Sequence, residues 1–164
     1  MKNTTFYISL FFLISSYIYG QKKDKSIGQN LIILKSYSLK KSLTNIYEIY
    51  SVKKIETIFG KPLRIKKEQV VDTYGEEPWT IIIYNGLKIE LTGDYISDIT
   101  ISNNDWSINT IKLSDSLTDI SKKLKKIKKT KKNYILYEIP NFEGVFFVNT
   151  DLKGKVKSIG ISLN

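Results

Sequence analysis

The sequence predicts an α+β fold: two tandem repeats of a helix followed by an antiparallel β-meander, with the helices packed on one face of the sheet. Three observations predict it. Two short stretches carry apolar residues at three- and four-residue spacing behind a serine: Val52, Ile55, Ile58 and Phe59 after Ser51, and Leu117, Ile120, Leu124 and Ile127 after Ser116. Each is followed by strand-like segments separated by tight-turn residues. Finally, Trp79–Ser102 reads like Tyr134–Leu163, with an aromatic-led strand, a glycine turn, a second apolar strand, a Gly/Asp turn and a last strand. The endings are Ser97-Asp-Ile99-Thr-Ile101-Ser and Lys157-Ser-Ile159-Gly-Ile161-Ser.

Taken in order, Met1-Lys2, the apolar run Phe6–Ile14, Ser15-Ser16 and Gly20 have the layout of a secretory signal peptide over residues 1–20. The run is shorter than the roughly 20 residues that span a bilayer, so cleavage before Gln21 is expected. The mature chain is then expected to be soluble, periplasmic or secreted, with no transmembrane segment. Residues 21–45 form a polar leader and N-terminal extension. Leu39, Leu43, Ile46 and Ile49 have helical spacing, while Tyr47–Tyr50 fits a strand equally well.

Repeat 1 covers 46–107. Ser51 caps its helix, and Gly60 with Pro62 ends it. Val70-Val71 lead into the turn Tyr74-Gly-Glu-Glu-Pro78. Trp79–Tyr84 is a strand, Asn85-Gly86 a two-residue hairpin turn, and Leu87–Thr92 alternates with period two. A third strand follows Gly93-Asp94. Repeat 2 covers 108–164 and packs with repeat 1 as one unit. Ser116 and Asp119 resemble a capping box, and the strands are Tyr134–Ile139, Val145–Val148 and Val156–Leu163.

Composition narrows function. The 164 residues include no Cys and no His. That excludes disulfides, thiol nucleophiles, cysteine zinc sites, histidine triads and the usual general base near neutral pH. Glu76-Glu77, Asp94 and Asp98 are spaced as turn residues rather than as a catalytic acid and base. Neither a calcium loop nor a glycine-rich phosphate loop is present. The expectation is therefore a protein without catalysis, cofactor or metal.

The formal charge is +10, from 26 basic and 16 acidic side chains. Removing residues 1–20 takes away only Lys2 and leaves +9. Setting aside Lys122, Lys123, Lys125, Lys126, Lys128, Lys129, Lys131 and Lys132 leaves +1. The domain is thus nearly balanced apart from one basic stretch. Arg occurs once and Ala never, a bias that follows A/T-rich codons. Scarce arginine argues against nucleic acid as the partner, because the guanidinium fork is the preferred reader of phosphate.

Two sets of residues are candidates for partner contact. The lysine run, with Lys122, Lys123, Lys125, Lys126, Lys128 and Lys129 at its centre, reads as an outward helix face. It suits an anionic envelope surface, lipid or polysaccharide, or else a solvated helix end. The aromatic residues Tyr74, Trp79, Trp106 and Tyr134 lie on or beside the expected sheet and suit another envelope or secreted protein, or else core packing.

Val52-Lys-Lys-Ile-Glu-Thr-Ile-Phe-Gly60-Lys-Pro62, a short helix closed by Gly-x-Pro and followed by strands, resembles the small protein A and beta-lactamase-inhibitor-protein-like superfamily. The resemblance covers residues 45–164 as a pattern of elements. It implies an exported binding, inhibitory or assembly-support protein without catalysis. The chain departs from that pattern in lacking both the lipid-bearing cysteine of the lipoprotein branch and the disulfides of the inhibitors, and no functional residue carries over, because the matching motif closes a helix and forms no site.

Overall fold

The computed structural model describes residues 32–68, 78–131 and 133–163. The expected signal peptide, the start of the leader, Val70-Val71, Tyr74, Glu76-Glu77 and Lys132 lie outside the described residues. The chain builds two antiparallel sheets and, among the described residues, two short helices. The smaller sheet joins β1 (Leu34–Ser36), β2 (Lys41–Leu43), β7 (Trp106–Ile108) and β8 (Ile111–Lys112) in the order β2-β1-β7-β8. The larger sheet contains β3 (Arg64–Glu68), β4 (Trp79–Tyr84), β5 (Leu87–Thr92), β6 (Tyr95–Ile101), β9 (Lys125–Lys131), β10 (Tyr134–Glu138), β11 (Val145–Thr150) and β12 (Val156–Ser162). Its order is β3-β4-β5-β6-β12-β11-β10-β9.

The α+β expectation is therefore corrected: the protein is mostly β, and helix-plus-meander repeats do not describe it. Three sequence features produce the difference. The first is the brevity of both helices. α1 (Val52–Phe59) starts where the Ser51 hydroxyl accepts the Lys54 N–H and stops at Gly60, whose φ of 83° only glycine adopts readily. α2 (Leu117–Lys123) starts on the Ser116–Asp119 capping box and stops at Leu124, whose backbone is already extended. The second is the short apolar stretch at residues 32–34, which buries Ile32 and Leu34 and leads into β1 of the smaller sheet.

The third is the lysine run itself. Expected to continue the second helix through Ile127, it forms strand β9 instead, and Ile127 is 53% exposed. A helix would crowd these like charges into neighbouring turns. A strand separates successive residues by about 3.3 Å and sends them to opposite faces. Pairing with β10 supplies the backbone partners that the helix would have given.

The core lies on one face of the larger sheet. Ile82, Ile89, Ile99, Ile101, Ile159, Ile161, Phe146 and Val148 point into it, and Ile55 and Phe59 of α1, Ile120 of α2, and Leu34 and Ile108 of the smaller sheet close over them. Register keeps these residues aligned: Ile89 faces Ile99, which faces Ile161, which faces Phe146. Where α1 and both sheets meet, Phe59, Tyr84 and Trp106 pack edge-on or tilted with centroids 5.1 to 6.1 Å apart. The Tyr84 hydroxyl donates to the Gly60 carbonyl at 2.9 Å and fastens the end of α1 to β4. Burial, with the charge of Glu56 adding to it, pushes that hydroxyl up to about 12.

Both outer strands of the larger sheet are basic. β9 carries the lysine run, and β3 carries Arg64, Lys66 and Lys67, all exposed. β9 also breaks register twice against β10. Lysines and bulges on an edge strand oppose pairing with another chain. Replacing Lys125 and Lys126 together by Thr is expected to leave the thermal midpoint within about 2 °C. Sedimentation velocity should show concentration-dependent self-association that the parent lacks. A variant that stays monomeric at every concentration would remove this role from the lysines.

Candidate functional site

Both helices and the smaller sheet pack on the core side of the larger sheet, so the opposite face carries none of them. Strand parity decides what it displays. β4 turns Ile82 and Tyr84 inward, so Trp79, Ile81 and Ile83 project to the other side; Trp79 is 40% exposed and the two isoleucines are half-buried. β5 adds Lys88 and Glu90, β6 adds Asp98 and Thr100, β12 adds Gly160 and Ser162, β11 adds Phe147, and β10 adds Tyr134 and Leu136.

The centre of this face is polar and tightly organised. Glu90 and Asp98 sit directly opposite each other on β5 and β6, and Asp98 faces Ser162 on β12. Lys88 donates to and ion-pairs with Glu90, which is buried. Thr100 Oγ1 donates to Asp98 at 3.0 Å. Burial pushes the Asp98 carboxyl up and the Glu90 charge adds to the rise, against hydrogen bonds from Thr100 and Ser162 and the charge of Lys88. Beside this centre the Tyr134 and Phe147 rings stack at 5.7 Å. Burial raises the Tyr134 hydroxyl, and the Asp98 charge raises it further, placing both groups in one electrostatic environment.

The face therefore presents aromatic and aliphatic surface on either side of a charged centre. Such a surface buries apolar area against a partner while its polar groups fix orientation. Among the described residues no group of three or more acidic, His or Cys side chains is placed to hold a metal.

The aromatic candidates separate cleanly. Trp79 and Tyr134 lie on this face. Trp106 does not: it is 2% exposed, part of the three-ring core cluster, and its indole N–H donates to the Asn85 carbonyl at 2.8 Å. It is a core residue, because β7 belongs to the smaller sheet, which covers the core side. Tyr74 lies outside the described residues.

The lysine candidates do not form one helix face. Lys122 and Lys123 end α2, whereas Lys125, Lys126, Lys128 and Lys129 lie in β9. Three are matched by acidic neighbours: Lys122 with Asp119 at 3.6 Å, Lys123 with Asp115 at 3.0 Å, and Lys125 with Glu138 at 3.3 Å. These pairs are exposed, apart from the half-buried Asp115, and contribute little stability, but they reduce the field of the run.

Sequence reasoning missed Ile81, Lys88, Glu90 and Phe147, and it read Asp98 as a turn residue, whereas Asp98 lies within β6, paired with Glu90 and Ser162. The alternation in Leu87–Thr92 already sets Lys88 and Glu90 on the face away from Leu87, Ile89 and Leu91. Nothing in the sequence, however, aligns Glu90 with Asp98 across two strands, because the register shifts between Glu90 and Leu91.

No family model and no curated protein matches the chain. Among solved structures, an extracellular protein containing a SCP domain from Bacillus anthracis strain Ames is similar, at 11% identity and a TM-score of 0.48, over 73% of this chain and 44% of that one. The chain thus spans less than half the length of that protein, and a likeness at this level assigns neither family nor partner.

Proposed function

We propose that this is an exported, non-catalytic protein-binding module, inhibitory or supporting envelope assembly, whose contact surface is the open face of the larger sheet. One observation carries the reading: Trp79, Ile81, Ile83 and Tyr134, exposed or half-buried, share a face that carries neither the helices nor the smaller sheet, with the buried Phe147 ring stacked beneath Tyr134. Such an aromatic and aliphatic face around a polar centre has the composition of a protein contact. Export is read from the apolar leader, and the described residues contain no helix long and apolar enough to cross a membrane. The superfamily resemblance points to the same kind of role, resting on the Val52–Pro62 stretch.

The alternative reading is a binder of anionic lipid or polysaccharide through the lysine run. Salt separates the two. Charge-driven binding weakens as ionic strength rises, whereas an apolar contact persists. With the protein immobilised against the envelope fraction of its own cell, retention of its partner is expected to survive high salt. Trp79→Ala is expected to weaken retention by about tenfold or more without lowering the thermal midpoint. The opposite pattern, loss in salt and on replacing Lys125, Lys126, Lys128 and Lys129 by Glu with Trp79→Ala silent, would establish the lysine reading instead.

A further inference from the structure

Between the β5–β6 hairpin, the segment before α1 and the β10–β11 loop lies a cavity of about 480 Å³. Ile46 and Ile96, both buried, form its apolar floor together with Leu163. Tyr47 and Tyr95 stand at its rim, 38% and 53% exposed. Tyr47 is held in place: its hydroxyl accepts the backbone N–H of Glu143 at 2.9 Å, and its ring packs on Phe142 with centroids 5.7 Å apart. The same bond anchors the backbone of Glu143, the one charged side chain lining the cavity.

Glu143 is a carboxylate on a protein with a formal charge of +10. It is exposed and takes part in none of the six ion pairs among the described residues. The neighbouring cavity, which shares Tyr95, is lined by Lys53 and Lys67 as well as Asp94, so negative character belongs to the smaller one alone.

Each part of this arrangement selects the same ligand. Tyrosine rings attract a cation over their faces, and a carboxylate adds charge attraction without the hydration that a metal ion demands. The isoleucine floor rewards an apolar chain, and the volume lies in the range of small-ligand sites. An anion is repelled by Glu143, and a neutral apolar molecule gains the floor but not the rim. We infer that this cavity binds a small organic cation, a quaternary ammonium bearing a short apolar chain. It stands on residues other than those of the open face, so the two readings succeed or fail separately.

The test is a titration of the protein with hexyltrimethylammonium bromide, followed by amide resonances. Saturable shifts confined to residues around Tyr47, Tyr95 and Glu143 are expected, with hexane-1-sulfonate producing none and hexan-1-ol binding at least about tenfold more weakly. Glu143→Gln should lower the affinity about tenfold, and Tyr95→Ala should do the same. Neither change should move the thermal midpoint, since both side chains are exposed. Shifts that do not saturate, equal binding of hexan-1-ol or the sulfonate, or unchanged affinity in Glu143→Gln would overturn the assignment.

Discussion

Gly160→Ala is expected to cost about 3 kcal/mol of stability and to lower the thermal midpoint by about 10 °C. Gly160 lies in β12, paired with Thr100 on β6 and Phe147 on β11, at the centre of the larger sheet. A methyl group there would run into the Ile99 carbonyl oxygen and the ring of Phe147. The ring can swing aside at the cost of its stacking on Tyr134. The carbonyl belongs to the backbone of the adjacent strand and moves only if the β6–β12 ladder gives way. Adding Phe147→Leu therefore relieves one clash and not the other, so the double variant should recover part of the loss. Urea denaturation measures both steps; a parent-like midpoint for Gly160→Ala would show that β6 and β12 are less closely paired than described.

Trp106→Ala is expected to have the largest effect of any single aromatic substitution, about 4 kcal/mol. It empties the place where α1, the β4–β5 hairpin and the smaller sheet meet, removing contacts to Phe59 and Tyr84 and leaving the Asn85 carbonyl without its indole donor. Trp106→Phe keeps a ring but not the N–H, and should cost about 1 to 2 kcal/mol. Equilibrium unfolding distinguishes this from a role in partner contact. A surface tryptophan would change binding and leave the unfolding midpoint in place, and that outcome would contradict the core assignment.

How far the sequence carried this structure depends on the element. Asn85-Gly86, Gly93-Asp94 and Asp151–Gly154 mark turns by residues with a local conformational preference, and the strands between them follow from alternation. Both capped helices were legible for the same local reason. β9 was not. Leu124 and Ile127 carry helical spacing, and only pairing with the next strand, Tyr134–Glu138, makes the lysine run a strand. The smaller sheet was missed because its two longest-range partners, β1 and β7, lie some seventy residues apart, as in the Leu34–Ile108 pair. The same limit applies to the candidate site. Trp79 was legible as an exposed aromatic on a strand, but Trp106 has the same composition and the opposite environment, and only the sheet to which its strand belongs decides between them.

The open face of the larger sheet, and not its lysine-bearing edge, is expected to meet the partner. A photo-reactive phenylalanine analogue placed at Ile81, on the open face, and separately at Lys126, on β9, tests it in the cell that makes the protein. Irradiation should yield a defined cross-linked protein from position 81 and none from position 126. A defined adduct from position 126 alone would contradict the account and move the binding surface to the basic edge.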